Sequence, residues 1–150
     1  PVGAKDDNAV IQASTLDRLF AAALAVQQYA YAPYSDFRVG AAVLCPNGRI
    51  FVGCNVENAS FGLTVCAERS AVCSAVSNGV YRLVAPALVT SQGPPATPCG
   101  ACRQVLAEFG SGAFVRSYGL PRDQEEQAQT KNPHVYEHTL EELLPSHFDL

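Results

Sequence analysis

The sequence predicts an α/β fold in which a β-hairpin leads into alternating helices and strands, so that part of the sheet runs parallel. Three observations carry this. The 150 residues suit one domain, large enough to bury roughly 68–70% of the unfolded surface without a metal or disulfide to hold the core. An Asn47-Gly48 pair separates two apolar runs, the signal of a tight antiparallel hairpin. Beyond it, helical patterns alternate with short apolar stretches of strand length.

Residues 1–13 are expected to be a flexible arm. From Ser14 to about Tyr31, Leu16, Leu19, Phe20, Ala23 and Leu24 follow the spacing of an amphipathic helix, which Ala32-Pro33 should stop. Phe37 to Leu44 and Ile50 to Val56 form the hairpin strands. A second helix spans about Val65 to Ser77 and ends at Asn78-Gly79, where a left-handed residue is easily placed. Leu83 to Thr90 is a strand, with Pro86 marking an edge or a bulge. Ser91 to Ala96 is loop. Thr97 then caps a third helix, with Pro98 at its first position and Gly110 just past its end. Ala113 to Ser117 is a further strand. The polar, turn-rich stretch 120–133 is expected to be a surface loop. Val135 to Thr139 returns antiparallel before a short helix at Leu140 to Pro145. No linker divides the chain.

Composition narrows the function classes. Net charge is −4, and Lys5 and Lys131 join eight arginines without any basic run, which disfavours a nucleic-acid polymer as partner. No apolar run approaches the ~20 residues of a membrane span, and the N-terminus lacks the layout of a secretory signal. Six cysteines in such a chain point to free thiols with a metal or redox site, and to a cytoplasmic setting. With 48% hydrophobic and 16% charged residues, a subunit interface is expected.

Cys99-Gly100-Ala101-Cys102 is a C-x-x-C at a helix start, compatible with structural zinc, a redox dithiol or catalytic zinc. Cys66 opens the preceding helix after a strand, and such helix starts gather at one end of a sheet, which makes it the third candidate ligand. Cys73 stands about 10 Å further along that helix at 1.5 Å per residue, too far to share the ion. Cys45 and Cys54 suit small buried fillers. Three ligands with one open position is the catalytic arrangement. Three thiolates leave Zn²⁺ with excess negative charge, which two helix N-termini and Arg69 can offset. By local physics Glu68 is a carboxylate favoured by its helix dipole; two residues beyond a ligand, it can also carry a proton at the open position.

The segments PYSDFRVGAAV (33–43), GCNVENASF (53–61), CAERSAV (66–72), PCGACRQVLAEF (98–109) and ELLPSHF (142–148) together resemble the small cytidine deaminases of pyrimidine salvage. The paired C-A-E and P-C-x-x-C follow the known signature of zinc-dependent nucleobase deaminases, in its all-cysteine form. The resemblance, over about residues 14 to 148, implies a three-layer α/β/α fold with a five-stranded mixed sheet. It also implies one Zn²⁺ per subunit and a homotetramer whose active sites neighbouring subunits complete. By position, Cys66, Cys99 and Cys102 are the ligands and Glu68 the general acid/base, protonating N3 and then the departing amine while activated water attacks C4. Products are uridine or deoxyuridine and ammonia. Asn55 and Glu57 match the residues that hold the sugar, and Phe37 and Phe148 match aromatics around the base, the latter from another subunit. The Ala67 N–H meets the base carbonyl and the Thr97 carbonyl meets the leaving amine. Arg69 and Gln104 match partners of the thiolates. On spacing alone, Asn55 and Glu57 read more readily as a solvated polar pair than as a binding pair, Phe37 as a core residue, and Arg69 and Gln104 as surface helix residues.

Two departures stand out. Phe61 takes a place where the family commonly has tyrosine, and stretch 120–133 lengthens the connection to the last strand. Rival readings are a deaminase of a related cytosine compound such as blasticidin, a thiol oxidoreductase using Cys99 and Cys102, and a structural zinc module. The last needs a fourth ligand that the sequence does not offer, and the oxidoreductase leaves Cys66 and Glu68 without a role.

Overall fold

The computed structural model describes residues 11–90, 93–120 and 134–150, with backbone alone for 87–90. Its elements are α1 (Ala13–Gln27), β1 (Val39–Leu44), β2 (Ile50–Cys54), a 3₁₀ turn (Phe61–Leu63), α2 (Ala67–Ser77), β3 (Ala85–Thr90), α3 (Gly100–Gly110), β4 (Phe114–Gly119), β5 (His134–Thr139) and α4 (Leu140–Leu143). Strand order is β2-β1-β3-β4-β5. Two antiparallel groups, β2-β1-β3 and β4-β5, meet through a parallel register of four pairs, Ala87↔Arg116 to Thr90↔Gly119. The hairpin turns as its Asn-Gly pair predicts: Gly48 has φ 80°, its N–H donates to the Cys45 carbonyl, and Cys45 N–H donates to Arg49.

The alternation of β1 sets the layers. Ala41 and Val43 face a core with Ala67, Ala71 and Val72 of α2 and Leu106 of α3. Ala42 and Leu44 face the other way, onto Leu19 and Ala23 of α1. Each large aliphatic residue so enclosed contributes roughly 1.5–3 kcal/mol. Two glycines let the helices close on the sheet. A Cβ on Gly40 would lie 1.9 Å from the Ala23 carbonyl oxygen of α1, and one on Gly53 would lie 2.3 Å from the Ala71 nitrogen of α2.

Several boundaries differ from the sequence reading. The arm expected over 1–13 lies outside the described residues as far as residue 10, but Ala13 already begins α1 and Ile11 packs on the core. Helix α1 ends at Gln27 rather than Tyr31, because the chain there is recruited into sheet-like pairing: Tyr31 N–H donates to Asn55 and Glu57 N–H donates to Tyr31. Leu24, the last member of the expected stripe, is exposed. Pro86 is not at an edge. Strand β3 lies between β1 and β4, and the proline is tolerated at its second residue because pairing with β4 starts only at Ala87. Helix α3 starts at Gly100 with Cys99 as N-cap, so Thr97 and Pro98 precede it, and Gly110 is its last residue. The expected loop 120–133 lies outside the described residues from 121 on. At the C-terminus, Thr139 and Glu142 form a reciprocal capping box around the first turn of α4.

Candidate metal centre

Strands β2 and β3 both pair antiparallel with β1, so they point the same way and deliver α2 and α3 to one end of the sheet. Cys66 is the N-cap of α2 and Cys99 the N-cap of α3, while Cys102 sits in the first turn of α3. Their three Sγ atoms lie within 4.8 Å of one another. The Cys66 and Cys99 sulfurs are 3.9 Å apart, close to the roughly 3.8 Å that tetrahedral Zn–S bonds of ~2.3 Å require. Among the described residues this is the one cluster of three or more metal-ligating side chains. Cys73 is exposed on α2 and Cys45 is buried at the hairpin turn, both outside it.

Neither N-cap cysteine uses its side chain to cap its helix, so the first-turn N–H groups of α2 and α3 retain their positive field toward the sulfurs. The Cys66 thiol is held down at about 5, first by a hydrogen bond from Cys102 and further by Arg69 and Cys99. Cys102 is pushed the opposite way, because it donates to Cys66 and is buried. The trio therefore favours a first thiolate and resists a second until a cation replaces the shared protons. Arg69 supplies the positive charge: its Nη2 lies 3.6 Å from the Cys66 sulfur and donates to the Thr64 carbonyl at 3.2 Å. Its Nε is buried without a hydrogen-bond partner.

Glu68, the second residue of α2, is 7% exposed. Burial pushes its carboxyl up to about 7, and the neighbouring Cys66 charge adds to this. Ala67 beside it is fully buried.

Around this centre the structure assigns the other expected residues unevenly. Asn55, 8% exposed, spends its amide on the chain itself: Nδ2 donates to the Phe37 carbonyl and Oδ1 accepts from Val39 N–H, both at 2.8 Å. Glu57 Oε1 accepts from the N–H groups of Tyr34 and Ser35 at 3.0 and 3.2 Å. Partial desolvation opposes its ionisation, but these bonds and the Ser35 hydroxyl win, holding the carboxyl below its usual range. Both side chains grip the 34–39 loop, in which Asp36 takes a left-handed φ of 54°. Each keeps hydrogen-bonding capacity for a further group. Phe37 is exposed rather than core, Phe61 is 72% exposed with its ring edge-on to Tyr34, and Phe148 is 69% exposed. Gln104 Nε2 donates to the Phe148 carbonyl at 3.1 Å.

Sequence reasoning missed Arg103. Its guanidinium donates to the Pro98 carbonyl, the Leu143 carbonyl and Thr97 Oγ1. The available signal was its sign: a cation in the first turn of a helix is opposed by the dipole and needs acceptors elsewhere.

Residues 13–117 match the family described as the cytidine and deoxycytidylate deaminase zinc-binding region. The chain belongs to the cytidine and deoxycytidylate deaminase family. A cytidine deaminase of Sporosarcina psychrophila is 48% identical to this deaminase family member over 99 residues, 66% of this chain and 73% of that one. The crystal structure of the Burkholderia pseudomallei cytidine deaminase superposes with a TM-score of 0.76 at 41% identity, covering 88% of this chain and 98% of the other. The Mycobacterium tuberculosis cytidine deaminase gives 0.71 at 42% identity, covering 90% and 98%. Within this deaminase family, the three sulfurs are a metal-binding cluster fitted to one Zn²⁺ per chain.

Proposed function

We infer that this protein is a zinc-dependent enzyme that hydrolyses cytidine and deoxycytidine to uridine and deoxyuridine, releasing ammonia. The observation that carries the reading is the convergence of three cysteine sulfurs within 4.8 Å, with a buried carboxyl two residues from one of them on the same helix. When bound, Zn²⁺ supplies the Lewis acidity that makes water a nucleophile at neutral pH. Cys66, Cys99 and Cys102 would hold it. Glu68 would take one proton from the attacking water and deliver it to N3 of the base, then take the proton of the hydroxyl newly bonded to C4 and pass it to the amine as the C4–N bond breaks and the C4 carbonyl forms. A carboxyl near 7 both gives and takes protons readily at neutral pH, and the cation's field draws it toward the ionised state that accepts the first one. Arg69 offsets the charge of three thiolates so that the ion remains acidic. The Ala67 N–H at the start of α2 suits the base carbonyl, and the Thr97 carbonyl suits the amine.

In this reading the remaining hydrogen-bonding capacity of Asn55 and Glu57 meets the sugar hydroxyls. The 34–39 loop that they anchor carries Phe37 to the base, and Phe148 of a neighbouring subunit closes the pocket. The chain acts as one three-layer α/β/α domain over 1–150 and works in the cytoplasm as a homotetramer. Supporting assembly, Tyr31, Tyr34, Val56, Phe61, Leu63 and Val65 are all exposed on segments beside the centre. Light scattering is expected to give about four chains per particle; a fully active monomer would exclude shared sites. None of the helices described is long and apolar enough to cross a membrane.

An ultraviolet turnover panel tests the substrate. Cytidine and deoxycytidine are expected to react, whereas free cytosine, which makes no use of the remaining hydrogen-bonding capacity of Asn55 and Glu57, is expected to react poorly. CMP is rejected because Glu57 is negative with no compensating basic cluster. Blasticidin turnover in place of cytidine turnover would transfer the assignment to the antibiotic.

A further inference from the structure

We propose that Arg103 is a positioning residue for the amine-side wall of the active site, acting through the Thr97-Pro98 segment. The inference rests on the deaminase reading above. Arg103 follows the ligand Cys102 directly and folds its side chain back over the chain that leads into the ligand Cys99. Nε donates to the Pro98 carbonyl at 2.7 Å and Nη2 donates to Thr97 Oγ1 at 3.0 Å. The third branch, Nη1, donates to the Leu143 carbonyl at 2.8 Å, at the end of α4. One planar cation thus fixes both residues before the first C-x-x-C sulfur to the helix that holds the second, and braces them against the C-terminal helix.

The geometry has a chemical consequence. Thr97 and Pro98 precede α3 and carry no helical hydrogen bonds of their own, so nothing in the helix ladder sets the direction of the Thr97 carbonyl. Arg103 sets it by holding the hydroxyl of the same residue and the carbonyl of the next. Without the guanidinium, Pro98 O, Leu143 O and Thr97 Oγ1 lose their donor together, and the wall is free to rotate while the three sulfurs remain on their helices. Lysine is a poor replacement, because one ammonium on a flexible stem cannot present three donors in a fixed plane.

The test compares wild type with Arg103→Gln, Arg103→Lys and Arg103→Ala for zinc content, kcat and KM on cytidine. The expected result is zinc near one per chain throughout, kcat lowered roughly 10–100-fold, KM moved much less, and partial recovery of Arg103→Ala by added guanidinium. Thr97→Val, which removes one acceptor and preserves shape, is expected to lower kcat in the same sense by roughly 3–10-fold, and the Thr97→Val/Arg103→Gln pair to be no worse than Arg103→Gln alone. Should the Arg103 variants fail to fold, Thr97→Val decides the matter. Wild-type kcat in zinc-loaded variants, with only thermal stability reduced, would overturn the positioning role. A wild-type protein that does not turn over cytidine at all would instead overturn the functional reading, and this inference with it.

Discussion

Cys102 is fully buried, and its sulfur shares hydrogen bonds with Cys66 and Cys99, whereas Cys73 stands exposed on the outer face of α2. Metal retention is therefore expected to divide the cysteines. Cys102→Ser should bring zinc from about one per chain to a small fraction, while Cys73→Ser leaves it unchanged, as read by atomic absorption after dialysis. Equal loss from both would mean that the metal is held elsewhere. At this scale the ligands and Glu68 were legible because each motif is local: a C-x-x-C and a C-A-E are written in consecutive residues. Arg103 was not, because Leu143, one of its three acceptors, lies 40 residues away and side-chain-to-carbonyl bonds leave no periodic trace. Asn55 and Glu57 were legible as a pair, but not their bonds to the chain itself. Their nearest partners are the backbone groups of 34–39, which become neighbours only once Tyr31 pairs with Val56.

At the scale of elements, the centre depends on how closely α2 lies on β2. Gly53 permits that approach, since an added Cβ would meet the backbone of Ala71, Ala67 and Ser70 at 2.3–2.7 Å. Gly53→Ala must displace α2, and with it Cys66 and Glu68. A loss of roughly 1–3 kcal/mol is expected from chemical denaturation, together with weaker zinc retention. Unchanged stability and metal affinity would show that α2 can shift without cost to the site. The elements themselves followed from pattern: the hairpin from Asn47-Gly48, the end of α2 from Asn78-Gly79, the last strand and short helix from Val135 to Leu143. Helix starts were harder. Cys66 and Cys99 are unconventional N-caps whose sulfurs serve the centre rather than the helix, so propensity placed both starts about two residues early. Pro86 misled because a proline speaks for its own missing N–H, not for the position of its strand in the sheet.

For the whole molecule, the sheet places both ligand-bearing helices at one end because β1 lies antiparallel between β2 and β3. That order cannot be deduced from a β-α-β alternation, which fixes direction but not adjacency. The exposed aromatics beside the centre are likewise a property of the folded chain that composition could suggest but not place. Turnover is expected to need both a zinc held by three cysteines and the Glu68 carboxyl. Glu68→Gln keeps size and shape but cannot carry the proton. The decisive measurement is cytidine turnover by wild type and Glu68→Gln, with zinc determined in the same samples. About one zinc per chain is expected in both, with turnover lowered by at least about 10²-fold in the variant. A zinc-loaded Glu68→Gln enzyme running near the wild-type rate, or a metal-free wild type joined by a reversible Cys99–Cys102 disulfide, would contradict this expectation.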